Sequence, residues 1–250
     1  MKKVIIVLVI LLVYASNITA QKKNLEISWK VVMMDSLFDK SNMDTLLTTA
    51  IIAKYKPSVD SLLVPLIYTP KDLRSFRPES PLSNLTGDII KWGINNLTTN
   101  KVDLAFTDFA QIRADLPQGN ISRYSIMSAY PFVNKLVVVS LKGEILLRVA
   151  QQFAKENKAI IYSGVRLKIT HNKIKYFKIN GKSLKQNKSY KVGILNFMLM
   201  SLAPKYGLDK AENVEIQDIT FQDALYAYFD YLNTNHKKLN PVIDNRVVIK

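Results

Sequence analysis

The chain has 250 residues, of which 48% are hydrophobic, with no cysteine, two histidines and a formal net charge of +15 at pH 7. This length and composition fit one large or two small packed domains and argue against a disordered chain. The absence of cysteine excludes disulfides, thiolate catalysis and cysteine-ligated metals.

The first twenty residues have the pattern of a secretory signal peptide. Lys2 and Lys3 precede an apolar run from Val4 to Tyr14, and a small, polar segment ends at Ala20. The apolar run is shorter than the roughly twenty residues that span a bilayer. We therefore predict a signal peptide over residues 1–20, cleavage near Ala20, an exported (periplasmic or secreted) chain and no transmembrane segment.

The next elements alternate between extended and helical patterns. Alternating apolar residues predict a strand or extended leader from Leu25 to Met33. Helical spacing predicts a helix from Met43 to Tyr55, ended by Pro57, and then an extended segment from Val59 to Tyr68. Pro81 favours the first turn of a further helix, which runs to about Leu97.

The rest of the chain is rich in strands, and Asn180-Gly181 predicts a hairpin turn because both residues tolerate positive φ. Helices are predicted for Ser122 to Ala129, Glu144 to Lys155 and Thr220 to Tyr231, and a loop for Asp108 to Gly119. Strands are predicted for Val102 to Thr107, Asn134 to Leu141, Ala159 to Tyr162, Arg166 to Thr170, Ile174 to Ile179, Tyr190 to Leu195 and Val247 to Ile249. Together they predict an α+β fold, a single mixed domain over residues 21–250 with an N-terminal extension packed on it.

No catalytic motif stands out in this sequence. A metallophosphatase needs several His, Asp and Asn ligands, whereas His171 and His236 lie far apart and outside any metal-binding pattern. Gly-x-Ser-x-Gly and glycine-rich phosphate loops are absent. Two of the twenty acidic residues could still form a carboxylate pair in the fold, but nothing marks one. Composition favours a binding domain over an enzyme.

Positive charge is concentrated between residues 157 and 191, which hold ten Lys or Arg and no Asp or Glu. The summed field of such a segment attracts anions. A phosphorylated substrate, an acidic protein or a lipid surface would suit it, and a solvated basic face is the simplest interpretation. We expect no nucleic-acid polymer as a partner, because the chain is predicted to be exported.

Several short motifs occur in an order that resembles one family. They are Glu79 to Asp88, Val102 to Phe106, Asp108 to Arg113, Tyr130 to Asn134, Val138 to Gly143, Ser163 to Arg166, Asn180 to Lys182, Ser189 to Val192 and Asn196-Phe197. Each alone is a weak pattern. In this order they resemble the C-terminal, substrate-recognition domain of 5′-nucleotidases and 2′,3′-cyclic phosphodiesterases, most clearly over residues 79–202.

The resemblance implies a ligand and a set of residues that hold it. In that family two phenylalanines clamp the base of a nucleoside or nucleotide, which implies Phe132 and Phe197 here. An Arg and neighbouring polar side chains bind the sugar and phosphate, which implies Arg113, Asp108 and Asn134. The metals and the attacking water belong to a separate domain, so we expect no cofactor in this chain and a divalent metal only in a partner metallophosphatase chain.

The sequence also departs from the family pattern. Ala110-Gln111 replaces a double glycine, Asp108 replaces an Asn donor, and Met200 to Ala203 replaces a glycine-rich loop whose Asp helps to hold the substrate. Three functions stay open at this point. The chain is the recognition domain of a split 5′-nucleotidase, a non-binding scaffold or regulatory partner of a phosphatase, or an independent hydrolase with an unrecognised site.

Overall fold

The computed structural model describes residues 43–156 and 158–250. The predicted signal peptide and the predicted strand from Leu25 to Met33 lie outside these residues. The chain divides into two compact units, Met1–Ile52 and Ala53–Lys250. None of the described helices is long and apolar enough to cross a membrane. The mixture of helices and sheets confirms the predicted α+β class.

Helix α1 spans Met43–Leu63, so the predicted stop at Pro57 is wrong. Proline lacks an N–H, but its fixed φ is compatible with a helix, and the ring penalises only the preceding turn. Lys56 and Asp60 form an ion pair across this turn, with 2.6 Å between Nζ and Oδ2. The predicted extended segment from Val59 is therefore shortened to strand β1, Pro65–Thr69.

The central element is a five-stranded sheet. Its strands are β2 Leu104–Asp108, β4 Lys135–Lys142, β5 Ile160–Ser163, β9 Ser189–Leu195 and β10 Glu212–Thr220. They lie side by side in the order β10-β4-β9-β2-β5. Strands β2 and β9 run parallel, and the other neighbours are antiparallel. Four strands of this sheet, β2, β4, β5 and β9, were predicted to within a few residues, whereas β10 was not.

Helices cover both faces of this sheet because side chains alternate along β4. Val137 and Val139 pack with helix α4 (Gly143–Lys155) in one core cluster. Leu136 and Val138 pack in a second cluster with α2 (Pro81–Leu97) and α6 (Phe221–Thr234). Both α2 and α6 begin with a capping box, and that of α6 joins Thr220 to Asp223.

A four-stranded sheet completes the larger unit. Its strands are β6 Val165–Thr170, β7 Lys173–Ile179, β8 Lys182–Ser183 and β11 Val247–Ile249, in the order β11-β6-β7-β8. Asn180 and Gly181 have φ of 47° and 79°, which confirms the predicted hairpin turn. Strand β11 lies parallel to β6. Arg246, just before β11, pairs with Asp88 of α2 at 2.7 Å and so fixes the C-terminal segment.

Three further elements were not predicted as such. Strand β3, Gly119–Ser122, pairs with β1 and leads into helix α3, Arg123–Ala129. Helix α5, Asn196–Tyr206, follows β9 directly and includes Pro204. Strand β10 lacks a clear alternating pattern because it is an edge strand whose side chains are mostly exposed on both faces.

Candidate functional site

A cavity of about 220 Å³ lies at one end of the five-stranded sheet. Strands β2 and β9 are parallel and β4 is antiparallel to β9, so β2 and β9 end where β4 begins. The segments after β2, before β4 and after β9 therefore meet there. They contribute all of the residues that line the cavity: Ala110, Gln111, Arg113, Phe132, Asn134 and Phe197.

The loop that carries Phe132 is held from the core side. The buried Tyr130 hydroxyl is 2.9 Å from Thr86 Oγ1, and burial raises the pKa of Tyr130 well above its usual value. Gln222 Nε2 donates to the carbonyl oxygens of Tyr130 at 2.8 Å and Phe132 at 2.6 Å. Phe132 is nevertheless 40% exposed, so its backbone is fixed while part of the residue remains accessible.

Phe197 is held in place by other contacts than Phe132. It is the second residue of α5, and the preceding Asn196 accepts a hydrogen bond at Oδ1 from the Lys135 backbone N–H at 3.0 Å. The Phe197 ring is partly buried and packs against both core clusters. Phe197 therefore contributes both to the cavity wall and to packing, whereas Phe132 contributes mainly to the wall.

Arg113 lies beside the Phe132 ring, with 5.3 Å between the guanidinium carbon and the ring centroid. Its backbone N–H donates to the carbonyl of Ala129 at 2.8 Å, which ties the segment after β2 to the end of α3. A guanidinium over an aromatic face gains cation–π energy and can still offer N–H donors to an anion. Arg113 therefore supplies the cationic group in the cavity wall.

Two amide side chains form the polar part of the wall. Asn134 Nδ2 donates to Gln111 Oε1 at 2.8 Å. Both residues are buried, Gln111 to 1% exposure and Asn134 to 9%. The sequence identified Asn134 as a site residue but treated Gln111 only as the replacement of a glycine. Its burial could not be read from the sequence, because Gln is usually exposed.

Asp108 takes a different position from the other predicted site residues. Its carboxylate Oδ1 accepts from the Ala110 backbone N–H at 2.7 Å and caps the short 3₁₀ helix Phe109–Gln111. Asp108 is not among the residues that line the cavity. The structure thus brings together Arg113, Phe132, Asn134 and Phe197 around one cavity and places Asp108 at the end of β2, where it caps the following turn.

Neither histidine is arranged with other potential metal ligands. His171 and His236 are exposed and sit in turns with φ of 48° and 52°. Within residues 43–156 and 158–250, no three His, Cys, Asp or Glu side chains are grouped closely enough to hold a metal ion.

The basic segment forms much of the four-stranded sheet and the loops after it. Lys178 lies directly opposite Arg166 in the β6–β7 pair, and like charges so placed repel each other. Arg166 is compensated by Asp244 at 2.8 Å. A groove of about 410 Å³ beside this sheet is lined in part by Lys182, Lys185 and Lys188, which are all exposed. We call the groove beside these three lysines the lysine groove.

The fold defines a mixed α+β domain with a cavity at one end of its central sheet, and comparison with known proteins identifies the family. The family model described as the 5′-nucleotidase, C-terminal domain, matches residues 65–203. This match covers more than half of the chain. The chain therefore belongs to the 5′-nucleotidase C-terminal domain family. No curated protein sequence matches it.

Solved structures share the fold at low sequence identity. The 5′-nucleotidase precursor of Thermus thermophilus superimposes with a TM-score of 0.70 at 22% identity, over 82% of this chain and 43% of its own. The NAD nucleotidase of Haemophilus influenzae gives 0.60 at 17%, over 82% and 41%. The SoxB sulfate thiohydrolase of Thermus thermophilus gives 0.62 at 16%, over 82% and 39%. The chain thus spans less than half the length of each of these structures.

Proposed function

We propose that this chain recognises a nucleoside or nucleotide, with the base held between Phe132 and Phe197. The observation that carries the proposal is that these two rings, from separate segments of the chain, line one cavity together with Arg113 and Asn134. Stacking on an aromatic side chain contributes about 1–3 kcal/mol per base and tolerates different bases. Phe132 is 40% exposed, and since Arg113 lies over one face of its ring, the base would stack on the other face.

Arg113 would bind the phosphate or sugar side of the ligand. Its guanidinium lies next to the Phe132 ring, so a base on that ring would place its sugar within reach of a forked N–H donor. Asn134 would contact the ligand through the side-chain oxygen that is not used in its bond to Gln111. Asp108 would act on the ligand only indirectly, by capping the turn that carries Ala110 and Gln111.

We further propose that hydrolysis takes place on a separate metallophosphatase chain, which would hold the divalent metal. The lack of a metal-ligand group among the described residues supports this division of labour.

The lysine groove would serve docking of an acidic partner or attraction of the anionic substrate. We propose export as well, with cleavage near Ala20, which the intact mass of the secreted chain would test.

The test is to measure binding and hydrolysis on the same sample. Titration calorimetry of the purified chain should give saturable binding of a nucleoside monophosphate. Phosphate release with added Mn²⁺ or Zn²⁺ should stay at the level of the metal alone. A phosphatase activity that co-elutes with the protein and is abolished by Arg113→Ala would contradict the split arrangement.

A second function, a scaffold or regulatory partner without ligand binding, is favoured by one observation. Gln111 and Ala110 occupy the loop where the family has a double glycine, and Gln111 fills buried space beside the cavity. If no nucleoside or nucleotide binds to the folded chain, the scaffold function is the one that stands.

A further inference from the structure

Gln111 carries an unusual polar atom. Its Nε2 is buried and has no hydrogen-bond acceptor among the protein atoms. Two other buried side-chain atoms in the described residues share this condition, Thr107 Oγ1 and Gln222 Oε1. Of these three atoms, only Gln111 Nε2 belongs to a residue that lines the cavity. Since buried polar groups are normally paired, an unpaired donor on a residue of the cavity wall lacks an acceptor that a bound ligand could supply.

The contact with Asn134 decides which end of the Gln111 amide remains. Asn134 Nδ2 donates to Gln111 Oε1 at 2.8 Å, so the acceptor end of Gln111 is used within the protein. What is left is an N–H₂ group, which can only donate. A ligand group that meets it must therefore accept a hydrogen bond.

The surroundings of Gln111 favour a neutral acceptor. Gln111 is 1% exposed and its amide has no net charge, so a phosphate oxygen placed there would be desolvated without a counter-charge. The cation of the cavity wall is Arg113, beside Phe132. The acceptor that fits the buried amide is thus a neutral one, and a carbonyl oxygen fits best because it offers two lone pairs to the N–H₂ group where a ring nitrogen offers one.

We propose that Gln111 selects bases that present a ring carbonyl, such as 6-oxopurines, over bases that present an amino group at the same position. This inference rests on the proposed nucleoside binding and specifies its substrate class. An exocyclic amino group would place donor against donor and leave both groups unpaired, which a site built around hydrogen bonds penalises. Gln111 is a specificity residue in this proposal and takes no part in bond breaking.

The experiment compares inosine with adenosine, which share the sugar and the ring skeleton and differ at position 6 of the purine. Calorimetry on the full chain should give a dissociation constant at least about tenfold lower for inosine, the effect expected for one hydrogen bond exchanged for an unpaired donor. Gln111→Met keeps the length of the side chain and removes the donor, so the ratio of the two constants should fall to about one.

Gln111→Glu provides the second variant. Its carboxyl group would still accept from Asn134, and burial without a counter-charge favours the protonated form, whose O–H donates to the ligand as the amide N–H₂ does, so the preference for inosine should be retained. Melting temperatures of both variants report whether the fold is retained, and the wild-type ratio decides the proposal even if neither variant folds.

The possible outcomes distinguish the selection of the base by Gln111 from nucleoside binding itself. If wild type binds both nucleosides equally, or adenosine more tightly, the selection by Gln111 is overturned while nucleoside binding stands. A wild-type preference for inosine that survives Gln111→Met overturns the role of Gln111. If neither nucleoside binds to the folded chain, both proposals fail.

Discussion

Around the cavity, one guanidinium lies beside two phenylalanines and two buried amides, whereas three exposed ammonium groups line the lysine groove. The cavity residues are held by hydrogen bonds from buried elements, as Gln222 holds the Phe132 loop. The lysines extend from a short edge strand and the loop after it. The cavity thus has one cation among residues that are held in place, whereas the lysine groove has three cations on exposed side chains.

Under the proposed function, this difference predicts two separate tasks for the two regions. Short-range stacking and hydrogen bonds need fixed positions, and mutations there change the affinity for one ligand in particular. Exposed charges act through a long-range field that salt screens over about 8 Å at physiological ionic strength, and single mutations there change little. Variants of the two regions should therefore differ both in the size of their effect and in its dependence on salt.

Phe197→Ala should have the largest effect, because this ring serves both the cavity and the core. We expect a loss of about 1–3 kcal/mol in nucleoside affinity. We also expect a loss of about 2–4 kcal/mol in the free energy of unfolding, less than for a fully buried Phe because the ring is only partly buried. Denaturant unfolding and calorimetry on the same variant give the two numbers. A variant of wild-type stability would show that Phe197 is not a packing residue.

Phe132→Ala should separate the two effects that Phe197→Ala combines. Its ring is 40% exposed, so the free energy of unfolding should change by no more than about 0.5 kcal/mol. The nucleoside affinity should fall by about 1–3 kcal/mol. Phe76→Ala is the matched control, since Phe76 is 48% exposed and does not line the cavity. Equal affinities for the Phe132 and Phe76 variants would remove Phe132 from the site.

The sequence predicted the parts of the molecule that local patterns determine. Helix α2 with its proline at the first turn and the Asn180-Gly181 hairpin follow from residues close together in the chain. The motif order indicated the family, and four of the five implied site residues do line one cavity. Gln111 is buried and its hydrogen-bond donor, Asn134, is twenty-three positions away, so this arrangement could not be predicted from local sequence.

Each prediction that the structure contradicts has its own physical cause. Pro57 was expected to stop α1, but the proline's φ allows the helix to continue. Strand β10 was missed because an edge strand exposed on both faces has no need of alternating apolar residues. Asp108 is a different case: its carboxylate caps the turn that starts with Phe109, a role that short polar residues often take, and its part in ligand binding stays a prediction.

Arg113→Gln should affect phosphorylated ligands more than unphosphorylated ones. Loss of a charge-assisted hydrogen bond should weaken nucleoside monophosphate binding by about 1–2 kcal/mol, and the nucleoside should lose less. Arg123→Gln is the control, because Arg123 also stacks on an aromatic ring, that of Tyr226 at 4.7 Å, but does not line the cavity. Equal losses for nucleoside and monophosphate would show that Arg113 supports the Phe132 ring and does not bind phosphate.

The lysine groove should give the smallest effect, and it should appear in rates before affinities. Replacing Lys182, Lys185 and Lys188 by alanine removes three exposed charges that have no ion-pair partner among those found in the described residues. If these charges attract anionic ligands, the association rate of a nucleoside monophosphate at low salt should fall by about two- to threefold. That difference should vanish at about 1 M salt, where the screening length is about 3 Å. The control replaces three exposed lysines outside the basic segment, Lys155, Lys210 and Lys238, and removes the same net charge. Stopped-flow measurements on the three proteins distinguish a local field from net charge, because only a local field makes the two triple variants differ. Equal rates for both triple variants, or a wild-type rate that does not depend on salt, would make the lysine groove an ordinary solvated surface and leave ligand recognition to the cavity alone.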